Sequence, residues 1–444
     1  MALKGLDIFK LSPKTNCKEC GNPTCMAFAM KVAQGAIGLD KCPHMSADAL
    51  EKLGEATAPP MKTIKIGSGE AEYTLGGETV LFRHEKTFVS KSLYGVTVCP
   101  GCADTVLPEI KTVDYVRIGE RMFVELVNVE YAGDKDQFID TVKKAQGLGR
   151  TLILEVSDPA AAAAALELTK DGKPVLNGAN ESNFKEMSAL AVKFGVVLGV
   201  SGKSLDSLYD TVAAIEGLGN KNLVIDVGSA SIKDAFANAV QIRRAALKDQ
   251  DRSFGYPSIV NLAKLAPNDT VLQSALASLF TMKYGSIIIM SGMSYAQALP
   301  LYGLRQNIFT DPQKPMKVEP GIYPLNGADE NSVCATTVDF ALSYFVVSGE
   351  LERSGVPVNL LISDAGGYSV LTAWAAGKLS ASSVAKFIKE ANIEEKIKNR
   401  NLIIPGKVAV LKGELEESLP GWKIIVGTNE AVAVVKFLKE LKVS

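Results

Sequence analysis

Thr151-Leu152-Ile153-Leu154-Glu155-Val156-Ser157-Asp158-Pro159 opens the stretch that decides the fold. A helical run from Pro159 to Leu168 follows, then Pro174-Val175-Leu176-Asn177, a second helical run from Ser182 to Phe194, and Val196 to Val200. Short, continuous apolar runs separated by amphipathic segments are the mark of parallel strands covered on both faces by helices. Outward from this stretch the same unit recurs. The candidate strands are Phe123 to Val129, Thr151 to Val156, Pro174 to Asn177, Val196 to Val200, Leu223 to Val227, Ser258 to Leu262, Ser286 to Met290 and Met316 to Tyr323. Further helical runs cover Lys135 to Gln146, Ser204 to Glu216, Ile232 to Lys248, Thr270 to Lys283 and Tyr295 to Arg305. Eight such units within residues 93–325 predict a closed (β/α)8 barrel of TIM type. Asn128, Glu155, Asn177, Asp226 and Asn261 stand at strand ends, where they either gather at the barrel mouth around a ligand or cap loops.

On the amino-terminal side, Cys17-x2-Cys20-x4-Cys25-x16-Cys42-Pro43 uses four of the seven cysteines. A tight loop supplying three thiolates, with a fourth returned by a helix and followed by proline, is the layout of an iron–sulfur site. Structural zinc is the rival, but it usually takes two Cys-x-x-Cys knuckles, and this stretch has one. The run Met26 to Ala33 has helical spacing and closes at Gly35 and Gly38; Ser46 can cap a further helix through Leu53, with Asp48 and Glu51 in its opening turns. His44 either packs near the cysteines or sits in a solvated loop. Residues 1–57 are therefore read as a cluster domain. Ala58-Pro59-Pro60 begins a linker with short strands over 58–92, where Thr63 to Ile66 and Thr79 to Arg83 flank Gly76-Gly77. Cys99-Pro100-Gly101-Cys102 is a lone Cys-x-x-Cys, read as free or packed cysteines, with redox chemistry as the alternative and Cys334 distant in sequence.

Residues 326–444 read as an open, Rossmann-like α/β domain. A helix over Val333 to Val347 opens it or closes the barrel. Strands follow at Val358 to Ile362, Asn401 to Ile404, Lys407 to Leu411 and Trp422 to Val426, with helices at Ser369 to Ala376, Ala381 to Ala391 and Glu430 to Leu441. Two strand-to-helix loops, Ser363 to Tyr368 and Gly427 to Ala431, combine glycine with small polar residues, as loops do where a large ligand meets the backbone; Gly-Gly is also an ordinary turn. Trp374 and Trp422 either belong to the core, the expected placement, or flank a large planar ligand.

The composition bounds these readings. The 444 residues are 47% apolar and 22% charged, with a formal net charge of -1, which gives no electrostatic reason to expect nucleic acid or a membrane surface. No apolar run is long enough to span a bilayer and Met1 to Leu6 is no signal peptide, so a cytoplasmic protein is expected, whose clustered cysteines are ligands rather than disulfides. Only His44 and His84 exist, which excludes a Ser-His-Asp triad and most catalytic zinc sites beyond residue 84.

The cysteine spacing, the Pro-Pro linker, the eight-unit barrel and the segment Gly366-Gly367-Tyr368-Ser369-Val370-Leu371-Thr372-Ala373 together resemble the large (gamma) subunits of corrinoid iron–sulfur proteins, methyl carriers of the anaerobic acetyl-CoA (Wood–Ljungdahl) pathway. The resemblance covers essentially the whole chain. It implies a [4Fe-4S] cluster on Cys17, Cys20, Cys25 and Cys42, and a cobamide on the last domain, held against a smaller partner subunit. It further implies transfer of a methyl group from methyltetrahydrofolate, through a separate methyltransferase, to acetyl-CoA synthase, with the cluster serving reductive reactivation of cobalt. Iron–sulfur potentials reach roughly -700 mV, low enough for that task. With no histidine after 84, the cobalt receives no imidazole from this chain's carboxyl-terminal domain. Under this resemblance Leu371, Thr372 and Ala373 are expected beneath the corrin ring, with Gly366, Gly367 and Val370 beside them; Phe340 and Tyr344 on the preceding helix, and Gly427, Thr428 and Ala433 near the end, are further candidates. The alternative is a pterin-dependent methyltransferase barrel with a ferredoxin-like electron module.

Overall fold

The computed structural model describes residues 5–33, 37–46, 49–50, 53, 60–228, 230–310 and 316–441. Ala58 and Pro59 of the linker, Gly35, Asp48 and Glu51 lie outside the described residues. The chain divides into two units, residues 1–114 with 123–309, and residues 115–122 with 310–444.

In the first unit a hairpin of β1 (Thr63–Ile66) and β2 (Tyr73–Gly76) precedes β3 (Leu93–Val98). A two-stranded pair follows, β4 (Asp114–Arg117) and β5 (Glu120–Phe123), which belongs mostly to the second unit. Then come β6 (Leu126–Glu130), β7 (Thr151–Glu155), β8 (Val175–Ala179), β9 (Val197–Val200), β10 (Leu223–Asp226), β11 (Ser258–Asn261) and β12 (Ile287–Met290). Strands β3 and β6 to β12 close into the expected eight-stranded barrel, every neighbour parallel. The helices start where the sequence offers caps. Asp134 accepts from the Asp136 and Gln137 N–H groups, Asp158 caps a helix with Pro159 at its start, and Ser204 and Ser294 form capping boxes. At the amino end of the barrel, Arg305 donates to Glu125 Oε1 (2.6 Å) and to the Ser92 carbonyl (3.0 Å), while the Tyr94 N–H donates to Glu125 Oε2 (3.1 Å). Burial alone would lower the Arg305 pKa, but Glu125 outweighs it and holds the guanidinium charged.

Three expectations are corrected here. Met316 to Tyr323 is not the eighth barrel strand; Leu93–Val98 is, and the later segment makes one antiparallel bridge, Lys317 to Phe340, and joins the sheet of the other unit as a strand from Gly321 onward. Thr79 to Arg83 forms no strand; the partner of Thr63–Ile66 is Tyr73–Gly76. Cys99 and Cys102, read as free or packed, are paired as a disulfide with Cα atoms 5.4 Å apart.

The second unit is built on β13 (Gly321–Leu325), β14 (Val333–Val338), β15 (Val358–Ser363), β16 (Asn401–Ile404) and β17 (Lys423–Val426), in the order β13-β15-β14-β16-β17. All pairings are parallel except β13, an antiparallel edge carrying Pro324. Alternate residues feed two cores: Cys334, Val338, Leu361, Leu402, Ile404 and Ile424 on one face, and Val333, Ala335, Leu360, Ile362 and Ile403 on the other. The helix expected over Val333 to Val347 is therefore a strand followed by a helix, Ala341–Ser354, because Val-Cys-Ala-Thr-Thr-Val is a β-branched run buried on both faces. Lys407 to Leu411 lies in a 3-10 turn, Gly406–Leu411, rather than a strand; a side chain at 406 would meet the Gly427 carbonyl at 2.7 Å, so the chain turns there against the neighbouring loop. Among the described residues no helix is long and apolar enough to cross a membrane.

Candidate functional sites

Cys25 opens the helix Cys25–Ala33, and the loop before it is folded by a reciprocal pair: the Cys25 N–H donates to Asn16 Oδ1 (2.8 Å) and the Asn16 N–H to Cys25 Sγ (3.4 Å). Left-handed backbone at Lys14, Asn16, Lys18 and Gly21 lets so short a loop bring its thiols round. Asn22 Nδ2 reaches Cys20 Sγ at 3.6 Å. Cys42 ends the turn Leu39–Lys41 and packs with Ile8, Phe28, Ala29 and Val32. Ser46 Oγ accepts the Ala49 N–H (3.2 Å), the expected cap. His44 Nε2 meets Glu19 Oε2 at 2.8 Å, and both ligand atoms lie within 4.8 Å of the Cys17 sulfur and of each other, so the histidine sits beside the cysteine loop. Four unpaired thiols with N–H groups directed at two of the sulfurs suit a sulfur-ligated cluster, whose ligands accept such bonds. Cys334 is different: it is fully buried, and burial pushes its thiol up to about 12, so it stays protonated in the core.

In the second unit a cavity of about 370 Å³ opens at the carboxyl ends of β14, β16 and β17. This is where the sheet order switches direction, between β14 and β16, the usual ligand position in an open parallel sheet. Phe340, Val370, Leu371, Gly427 and Thr428, five of the candidates named from the sequence, line it. The other candidates lie elsewhere. Ala373 is buried in the core, and Tyr344 packs on Tyr323 with ring centres 5.2 Å apart. The Thr372 hydroxyl is bonded to that of Ser369 (2.9 Å), and Ala433 ends the turn Ala431–Ala433. Gly366 and Gly367 take the left-handed conformation, and the Gly367 N–H donates to Asp339. Asp339 went unnoticed in the sequence. Fully buried, its carboxylate also accepts the Ala365 N–H (2.9 Å) and so pins the whole Gly-Gly loop. Thr336, Thr337, Ser343 and Asn429 line the cavity too, and Thr337 Oγ1 is buried without a partner among the described residues. The two threonines were hidden by reading their strand as helix. Leu342, Val346 and Leu371, which line the cavity, are 45–61% exposed, and Trp374 is 44% exposed, which corrects its core placement. Trp422 is buried as expected, its Nε1 donating to Glu394 (2.9 Å).

The barrel mouth does gather the polar strand ends. Glu155 accepts from Asn128 Nδ2 (2.6 Å), from Asn261 Nδ2 (3.1 Å) and from Lys264. Burial holds the Asp226 carboxyl above the usual carboxylate range, although the Gly228 N–H donates to it (2.9 Å). A bulge at Gly178, whose φ of 138° and contact with the Val156 carbonyl leave no room for a side chain, lies between Asn177 and Ala179. Glu155, Asn177, Gly178, Asp226 and Lys264 line a chamber of about 240 Å³, with Asn128 and Asn261 behind Glu155.

Comparison with known proteins agrees with this architecture. The family model for the CO dehydrogenase/acetyl-CoA synthase delta subunit matches residues 63–438, and a model for an Fe-S cluster matches residues 13–44. The chain is 39% identical to the corrinoid/iron-sulfur protein large subunit of Moorella thermoacetica, over 99% of both chains. It is 32% identical to the acetyl-CoA decarbonylase/synthase complex subunit gamma of Methanothermobacter thermautotrophicus, over 99% of both, and 33% identical to that of Methanopyrus kandleri, over 99% of this chain and 98% of the other. The chain belongs to the CO dehydrogenase/acetyl-CoA synthase delta-subunit family, and its full-length relatives are large or gamma subunits, the resemblance already legible in its cysteine spacing.

Proposed function

We propose that this chain is the methyl-carrying large subunit of a corrinoid iron–sulfur protein in an acetyl-CoA pathway. The observation that carries the proposal is the combination, in one chain, of a four-thiol amino-terminal loop with an imidazole-free cavity at the switch point of a carboxyl-terminal sheet. The chain accepts a methyl group from methyltetrahydrofolate through a separate methyltransferase and delivers it to acetyl-CoA synthase. When bound, a cobamide supplies a low-valent cobalt centre suited to this transfer, and a [4Fe-4S] cluster supplies low-potential electrons.

The chain's own residues divide the work. Cys17, Cys20, Cys25 and Cys42 hold the cluster. Phe340, Val370 and Leu371 give the cobamide an apolar bed, and Gly427 and Thr428 let it approach the backbone. Asp339 fixes the loop behind them. A 370 Å³ cavity admits only part of so large a ligand, and the exposed apolar rim of Leu342, Val346 and Leu371 needs a cover, which a smaller partner subunit provides. A reductive activator and the two enzymes of the transfer are the remaining partners.

An optical spectrum tests this directly. Corrinoid bands that are released on denaturation support the carrier; a cobalt-free chain that transfers methyl groups from a folate instead supports a pterin-dependent methyltransferase barrel. Cys20→Ala should abolish reductive reactivation while leaving methyl transfer from the already reduced cofactor intact. Equal loss of both contradicts the division of labour.

A further inference from the structure

The methyl-carrier reading leaves the barrel mouth without a task, yet the mouth is built as a site. We infer that it binds a small planar molecule whose edge presents adjacent N–H donors, the pattern shared by amidines and 2-aminopyrimidinones. Two observations converge on this chemistry, and neither depends on a cobamide or a cluster.

The first is position and size. The chamber lies at the carboxyl ends of the barrel strands, where ligands of this fold class bind. At about 240 Å³ it falls below the roughly 300–1,000 Å³ of pockets for drug-sized molecules, so one or two rings fill it.

The second is charge. Glu130, Glu155 and Asp226 line the chamber against Lys264 alone. Glu155 is satisfied by Lys264 and two asparagine amides. Asp226 is not: besides the Gly228 N–H and the amide of Asn177 it has no ion-pair partner among the described residues. A carboxylate in that state takes two parallel N–H···O bonds from a planar edge, which a lone ammonium cannot supply. The burial that raises its pKa also strengthens such bonds.

The test is calorimetric titration of the full chain with a reduced pterin, guanosine and benzamidine. At least one should bind, and Asp226→Asn should weaken it at least tenfold, because the amide presents N–H groups to N–H groups. Lys264→Gln, which uncovers Glu155, should tighten benzamidine. A response to pterin alone names a folate-like ligand, and to guanosine alone a nucleobase. Thermal midpoints near the parent's show that the variants fold. Absence of binding by all three probes, or equal binding by Asp226→Asn, overturns the inference, whatever the cobalt content proves to be.

Discussion

The two ends of the barrel bury ionised groups in different ways. At the amino end Glu125 and Arg305 are 4% and 3% exposed, and the carboxylate accepts from a guanidinium and a backbone N–H. At the carboxyl end the acids outnumber the base. Both polar sets are held by the same strand ladder. What separates them is charge balance: a carboxylate matched by one guanidinium holds a fold together, whereas surplus carboxylates beside a cavity have capacity for a guest. The second unit solves the same problem with apolar side chains and loop backbone at its own strand ends, which suits a larger ligand and a covering partner.

The comparison can be broken at several points. The largest effect belongs to the balanced pair at the amino end. Glu125→Gln leaves the Arg305 charge buried without its counter-ion and should cost about 3–5 kcal/mol in urea unfolding. A cost below about 1 kcal/mol would mean that the amino end is no more committed than the mouth. Gly427→Val comes next. Its Cβ would meet Ile403 Cγ2 at 3.0 Å and the Ile404 carbonyl at 3.1 Å, crowding the floor of the carboxyl-terminal cavity, so corrinoid retention should fall about tenfold, or about 1.4 kcal/mol. Unchanged retention would place the cobamide elsewhere.

The smallest effect is the stability of Asp226→Asn. Burial raises the folded-state pKa of Asp226 above its ordinary 3.8, so the folded protein holds that proton more tightly than the unfolded chain. The stabilisation linked to this proton is complete below the unfolded value and is lost as pH rises through the folded one. The asparagine variant should therefore be the more stable protein at neutral pH, with the advantage shrinking as pH falls towards about 4 in calorimetric scans. An advantage that grows on acidification would mean that Asp226 is held as a carboxylate by partners of its own.

Most of the barrel was legible because its strands are buried on both faces and read as continuous apolar runs, each punctuated by a cap such as Asp158 or Ser204. Leu93–Val98 was overlooked because Gly95 and the following Cys-Pro-Gly-Cys blur its edges; in the fold Gly95 is needed where Leu126 Cβ would lie 3.2 Å from a side chain. Val333–Val338 was absorbed into the helix that follows it, which concealed Thr336, Thr337 and Asp339 at the cavity. Cys17 to Cys42 needed no tertiary context, since ligand spacing is local. The cobamide candidates did need it: Leu371 reaches the cavity while Thr372 and Ala373, its neighbours on one short helix, face a serine hydroxyl and the core.

Counting metals tests the central claim most directly. The chain purified without oxygen, together with its co-purifying subunit, should carry about four iron atoms on its cysteine loop and one cobalt in an extractable corrinoid. Cys42→Ala should remove the iron and leave the cobalt in place. Iron without cobalt, in protein that still moves methyl groups from a folate, would contradict the account and make the barrel itself the methyltransferase.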